Sequence, residues 1–198
     1  MSKGDETRER ILDGALRLAS LEGIEGLTVG GLATALGMSK SGLFAHFGSK
    51  EELQVQVLKT AIERFRQVVV EPALKARRGV PRLRALFERW LEWTNDASLP
   101  GGCIFVAAAV ELDDKAGPAR DFLVRAQQGW LQTLARAARI AMQEGQLRAD
   151  LDPEQFAYEV WSLALGYHHL RRLLRDPQAS ARVHAAFDRL LGDARARS

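Results

Sequence analysis

The chain has 198 residues, 28 Lys/Arg against 25 Asp/Glu, a net charge of +3, and 46% hydrophobic residues. That is chain enough for one large domain or two small ones, and too apolar for a disordered protein. One cysteine, Cys103, excludes an internal disulfide framework and a zinc site built on several thiolates. The longest unbroken apolar run, Cys103 to Val110, is far too short for a membrane span, and Met1 to Arg10 is polar with no secretory core. A cytoplasmic protein with no membrane partner is expected.

Helix-period patterns run almost throughout and strand alternation is nearly absent, so the fold class is all-α. The first helix is predicted from about Thr7 to Leu21, its stripe made of Ile11, Leu12, Ala15, Leu16 and Ala19 and its stop made by Gly23. A short second helix follows the N-cap Thr28, buries Val29, Leu32, Ala33 and Leu36, and stops at Gly37. A short third follows Ser39 and turns Leu43 and Phe47 inward. Ser49-Lys50-Glu51-Glu52 reads as a capping box, opening a fourth helix to about Val70, where Pro72 should end or kink it.

Leu83, Leu86, Phe87, Trp90 and Leu91 give one face of a fifth helix. A sixth, very apolar, spans roughly Gly102 to Leu112. A long seventh follows Pro118 and carries Leu123, Ala126, Trp130, Leu134, Ala137 and Ala141, with Gly145 as its C′ residue. Asp152-Pro153-Glu154-Gln155 supplies an N-cap, a proline at N1 and a Gln at N3 for the eighth. That helix is apolar on two seams. One is Phe156, Val160, Leu163, Tyr167, Leu170 and Leu174; the other is Ala157, Trp161, Ala164 and His168. Two buried faces call for a covering partner subunit on one of them. Asp176-Pro177 opens a last helix with Val183, Phe187, Leu190 and Leu191, and the tail from Asp193 is expected to fray.

The chemistry concentrates between Thr28 and Leu53. Two short helices joined by Gly37-Met38-Ser39 describe a helix-turn-helix, with small Ala33 at the crossing and Leu36, Met38 and Leu43 as its core. Such a unit places its second helix in the DNA major groove. All six acids of the first 50 residues lie at or before Glu25, and Gly26 to Lys50 holds two lysines, one histidine and no acid. Ser39, Lys40, Ser41 and Gly42 open the reading helix and permit close backbone approach. Lys40 can reach a phosphate or a guanine edge, and Ser39 and Ser41 either. His46 and Lys50 are phosphate candidates. Thr28 offers a hydroxyl and a helix N-terminus to the backbone.

At Thr28-Val29-Gly30-Gly31-Leu32-Ala33 and Leu36-Gly37-Met38-Ser39-Lys40-Ser41-Gly42-Leu43-Phe44-Ala45-His46-Phe47-Gly48-Ser49-Lys50-Glu51-Glu52-Leu53 the sequence resembles the TetR family of bacterial transcriptional regulators. Glu144-Gly145-Gln146-Leu147 to Asp152-Pro153 is similar to that family's entry into its eighth helix. The resemblance implies about nine helices, with a helix-turn-helix domain over 1–52 and an effector-binding and dimerisation domain over 53–198. It implies a homodimer built on the last two helices and a ligand pocket between head and dimer helices. Two departures stand out. Phe44 replaces a tyrosine whose hydroxyl often touches phosphate in the family. Gly30-Gly31 in the first turn of the second helix costs roughly 1 kcal/mol of helix propensity per residue.

The expected function is therefore a homodimeric repressor that reads a palindromic operator in double-stranded DNA and is released by a small-molecule effector. Trp90, Trp93, Phe105, Trp130, Trp161 and Tyr167, with His168 as polar handle, are the pocket candidates, each weighed against ordinary core packing. Cys103 reads as a small buried hydrophobe or, less often, a redox sensor. His168 and His169 point about 100° apart on a helix and make no metal pair. No catalytic constellation, P-loop or dinucleotide fingerprint is present, so neither an enzyme nor a bound cofactor is expected. The competing reading is a helical ligand carrier or interaction module whose helix-turn-helix no longer functions.

Overall fold

The computed structural model describes residues 3–196, in which nine helical runs follow one another. These are α1 (Lys3–Glu22), α2 (Val29–Leu36), α3 (Lys40–Phe47), α4, α5 (Val80–Thr94), α6 (Ile104–Leu112), α7 (Pro118–Gln143), α8 (Pro153–Arg172) and α9 (Ala179–Asp193). Helix α4 comprises Lys50–Phe65, a π-helical segment Arg66–Val70 and a last turn Glu71–Leu74. The chain divides into two compact units: residues up to Phe65 together with Asn95–Gln127, and Arg66–Thr94 together with residues from Gln128 on.

In the first unit α1 packs on α2, α4 and α6, and α2 on α3. Its core is made of Ile11, Ala15, Leu16 and Ala19 of the predicted α1 stripe, Leu12 being only half-buried, closed by Leu32, Ala33, Leu43, Leu53, Val57 and Leu58, all buried. Each fully buried Leu or Ile contributes about 1.5–3 kcal/mol relative to exposure. Gly14 lets α1 and α2 meet, because a Cβ there would lie 2.6 Å from the Leu36 side chain.

In the second unit α5 packs on α8, and α8 on α9. Phe87 stacks on Phe187 with centroids 4.0 Å apart, and Trp90 meets Trp161 edge to face at 5.4 Å. Leu83, Leu86, Phe156, Val160, Val183 and Leu191 complete the core. Asp152 caps α8 by accepting from the amides of Glu154 (2.9 Å) and Gln155 (3.1 Å), as its sequence predicts.

Four expectations are corrected. Helix α4 does not stop near Val70 but changes register there. The π segment ahead of Pro72 accommodates a residue that has no N–H and whose ring crowds the carbonyl four positions back, so one more turn follows. The seam of α8 that begins at Phe156 ends short of Leu174: the helix stops at Arg172, and Leu173 and Leu174 are 69% and 59% exposed. Asp176-Pro177 forms a turn before α9 rather than its first residues, because the Asp176 carboxylate accepts from the Gln178 amide at 2.9 Å and the helix starts at Ala179. The tail expected to fray from Asp193 is held over residues 193–196, and its last two positions lie outside the described residues. Leu147 and Arg195 form an antiparallel bridge, the Arg148 amide donates to the Ala194 carbonyl at 2.9 Å, and Ala194 is buried.

Candidate nucleic-acid interface

The helix-turn-helix is assembled by local chemistry. Thr28 is extended and its Oγ1 accepts from the Gly31 amide at 3.0 Å, while its carbonyl accepts from Leu32 at 2.9 Å, which starts α2. Gly37 ends α2 with φ of 65°, a left-handed conformation that glycine adopts without strain, and the Met38 amide returns to the Ala33 carbonyl at 2.9 Å. Ser39 then caps α3, its Oγ accepting from the Gly42 amide at 3.1 Å. A Cβ on Gly42 would lie 3.0 Å from that Oγ, so glycine gives the cap its room.

Helix α3, which packs on α2 and α4, divides cleanly: Leu43 and Phe47 are buried, while Lys40, Ser41, Phe44 and Ala45 form an exposed stripe at positions i, i+1, i+4 and i+5. Phe44 is 53% exposed, far more than a ring that only packs. With Val29 and Gly30 of α2 this stripe bounds a shallow groove of about 510 Å³. Gly30 makes the groove open: a Cβ there would lie 3.3 Å from Lys40 Cε. The bare backbone is a seat for the lysine stem.

The structure thus brings Lys40, Ser41 and Phe44 together. Thr28 and Ser39 serve as helix caps beside them, and Gly42 is the residue whose amide Ser39 caps. His46 and Lys50 lie apart. The His46 carbonyl accepts from Arg8 Nη1 at 2.6 Å, with the guanidinium 4.9 Å above the Phe47 ring, so an α1 cation closes the C-terminus of α3. Lys50 Nζ donates to the Glu25 carbonyl at 2.8 Å. Val29 and Ala45, which line the groove, escaped sequence reasoning, whereas Gly30 had already stood out as a place for close backbone approach; the i, i+1, i+4, i+5 spacing on α3 held the signal for Ala45.

Behind the reading surface, Glu25 is clamped from several sides. Gln54, only 4% exposed, donates to the Ile24 carbonyl (3.0 Å) and Glu25 Oε1 (2.9 Å). Lys115 Nζ donates to Glu25 Oε2 at 2.9 Å, and the Glu25 amide donates to Glu111 Oε2 at 2.7 Å. The hydrogen bond from Lys115, then that from Gln54, holds the Glu25 carboxyl below its usual range.

A substitution separates Gly30's local and positioning roles. Gly30→Ala should raise the melting temperature by about 2–4 °C, from roughly 1 kcal/mol of helix propensity. It should weaken DNA binding several-fold, because Lys40 loses its seat. Thermal melts and fluorescence anisotropy check both; unchanged affinity would detach Gly30 from the interface.

The aromatic candidates are drawn from both units. Trp90, Trp93, Trp130 and Tyr167 are buried in the second unit with Trp161 and His168 half-buried, whereas Phe105 belongs to the first unit, edge-on to Phe65 at 5.9 Å. His168 Nε2 is buried and finds no hydrogen-bond partner among the described residues. Burial, then Arg172 and His169, push its pKa down to about 4 from 6.5. The unfolded chain therefore takes up a proton near pH 6.5 that the folded one refuses until about pH 4. Stability is complete above pH 6.5 and falls as pH drops toward 4, and His168→Gln should flatten that acid limb. Urea midpoints across this range measure it; parallel curves would refute it. Cys103 is buried at the N-cap position of α6.

Fold and site together define an all-α chain with an N-terminal helix-turn-helix and a larger C-terminal helical part. Residues 11–57 match the family described as bacterial regulatory proteins, tetR family, and residues 79–187, more than half the chain, match the tetracyclin repressor-like C-terminal domain. The chain belongs to the TetR family. It is 39% identical over 72 residues to the HTH-type transcriptional repressor AcnR of Corynebacterium glutamicum, a match covering 36% of this chain and 38% of that protein. The matched stretch thus spans little more than a third of that relative's length. A TetR transcriptional regulator from Chloroflexus aurantiacus superposes with a TM-score of 0.85 at 26% identity, covering 97% of this chain and 96% of that one. AibR, solved in complex with isovaleryl coenzyme A and operator DNA, superposes at 0.72 with 24% identity, covering 96% of this chain and 99% of that one.

Proposed function

We propose that this chain is a cytoplasmic, DNA-binding transcriptional repressor, homodimeric and released from a palindromic operator by a small-molecule effector. The observation that carries the reading is the exposed Lys40-Ser41-Phe44-Ala45 stripe on the second helix of the helix-turn-helix, within a stretch of 25 residues, Gly26 to Lys50, that holds no acid. Residues 1–52 would read the operator, with the capped helix ends at Thr28 and at Ser39-Gly42 offered to phosphate, His46 on the flank, and Lys50 bracing the head through the Glu25 carbonyl. Residues 53–198 would take the effector and the second subunit. The name of AcnR as a repressor supports the assignment, and AibR, of the same fold, was solved with isovaleryl coenzyme A and operator DNA, which is consistent with it.

Dimerisation has its own support. On α8, Tyr158 is 63% and Leu165 37% exposed, seven residues apart and so on one face. A second copy of α8 and α9 laid on that face would cover the Tyr158 ring and the Leu165 side chain. Effector binding then needs a differential affinity of only ~1–3 kcal/mol between free and DNA-bound shapes for substantial release. No catalytic role is proposed.

The test is footprinting of the DNA flanking the chain's own gene at several salt concentrations. A two-fold symmetric protected site with a steep salt slope is the expected result. Binding that is salt-independent or absent from all genomic fragments, with small-molecule binding intact, would favour the carrier reading.

A further inference from the structure

The reading helix presents a surface of unusual composition for contact with a polyanion. Its groove is lined by the apolar Val29, Gly30, Phe44 and Ala45 together with Lys40 and Ser41, and the Lys40 side chain lies over Gly30, where a Cβ would come within 3.5 Å of its Nζ. Lys40 has no hydrogen-bond or ion-pair partner among the described residues. Ser41 Oγ lies 3.4 Å from Ser39 Oγ, a long contact that leaves its proton free to turn outward. Phe44 sits one turn beyond Lys40 on the same stripe. It has no hydroxyl to give a phosphate, and at 53% exposure it leaves a large apolar surface in water.

Base edges in the major groove differ in one respect that bears on this surface. Guanine offers acceptors, cytosine a donor, and adenine one of each. Thymine alone sets an apolar methyl group beside an acceptor, O4. A phenyl ring and two small side chains next to a lysine and a serine match that pair of features: the ring covers the methyl, and the cation or hydroxyl donates to O4.

Resting on the DNA-binding reading above, we infer that Phe44 is a specificity-determining residue that reads the C5-methyl of a thymine in each half-site, with Lys40 or Ser41 on the neighbouring O4. Phe44 thereby converts a position available for phosphate contact into one that distinguishes bases. Gly30 serves the same end, since any side chain there would crowd Lys40 and narrow the groove from the α2 side.

Deleting the methyl from the DNA tests this directly. Duplexes bound by the full-length protein are selected from a random pool. Each thymine of the selected half-site is then replaced singly by deoxyuridine, which lacks only the C5-methyl. Wild type should lose about fourfold in affinity at one position per half-site, the worth of one buried methyl. Phe44→Ala should bind the thymine and uracil duplexes alike, at about the level of wild type on uracil. Because the ring is half exposed, the variant should melt close to wild type, which separates recognition from folding. Indifference of wild type to every uracil would overturn the inference, as would a uracil penalty that survives in Phe44→Ala. A uniform loss for Phe44→Ala with no uracil effect would overturn it too, leaving the ring as a sugar–phosphate contact. Selection of no duplex at any salt concentration would instead overturn the DNA-binding reading on which it rests.

Discussion

Gly101→Ala is expected to destabilise the first unit by several kcal/mol, beyond the ~1–3 kcal/mol of ordinary overpacking. A Cβ on Gly101 would lie 1.2 Å from the Ser20 carbonyl oxygen, 2.0 Å from its carbon and 2.8 Å from the Leu21 nitrogen. All three atoms are backbone, near the end of α1, so no flexible side chain can swing away. The Gly101 amide also donates to Ser20 Oγ at 3.3 Å, and buried Leu99 and Cys103 hold the turn on either side. The turn would have to lift off α1 and expose them both. Gly129→Ala on α7 is the matched control: nothing lies within 4 Å of the added methyl, and helix propensity should stabilise the chain by about 1 kcal/mol. Urea denaturation of both variants, with far-ultraviolet circular dichroism, reads the opposite signs. A Gly101→Ala midpoint equal to that of wild type would mean that the turn does not sit on α1.

The largest functional effect is expected at Lys40. Lys40→Ala removes a cation from the exposed stripe and should weaken operator binding about tenfold. Lys40→Glu adds an anion against the phosphates and should weaken it by ~100-fold or more at low salt. In a dimer the slope of log K against log salt should shrink by about two, one for each subunit. Lys50, which the sequence ranks beside Lys40, should behave differently, because its ammonium is committed to the Glu25 carbonyl at 2.8 Å. Lys50→Ala should cost melting temperature more than salt slope. Anisotropy titrations at four or five salt concentrations separate the two lysines, and equal slopes for all the variants would sink the assignment of Lys40.

What the sequence reveals of this fold, and what it hides, follows from the range of the physics involved. The caps at Thr28, Ser39 and Asp152 and the left-handed stop at Gly37 were all readable, because each is made by atoms within four residues of one another. The buried stripe of α1 was readable from its period. The Glu25 clamp was not: Glu111 and Lys115 come from 86 and 90 residues away, and a Glu and a Lys so far apart carry no local signature. The docking of the tail on Leu147 was hidden for the same reason, since a short polar C-terminus has the composition of a loose end. The commitments of Lys50 and Arg8 were likewise invisible, because a sequence counts cations without saying which carbonyl each one faces.

The clamp also bears on how this chain can be re-engineered. Reading heads of regulators invite transplantation, and a cut after residue 52 is the natural one from sequence. Such a cut would carry Glu25 and the Ile24 carbonyl to a new host but leave behind Gln54, Glu111 and Lys115, which satisfy them here. A buried carbonyl stripped of its donor costs about 1–3 kcal/mol, so a graft made there begins with a debt unrelated to operator choice. Retargeting is better done by rewriting Lys40, Ser41, Phe44 and Ala45 in place, where the side chains face solvent and nothing folded depends on them. Where a whole head must be exchanged, the portable part is the entire first unit, Asn95–Gln127 included.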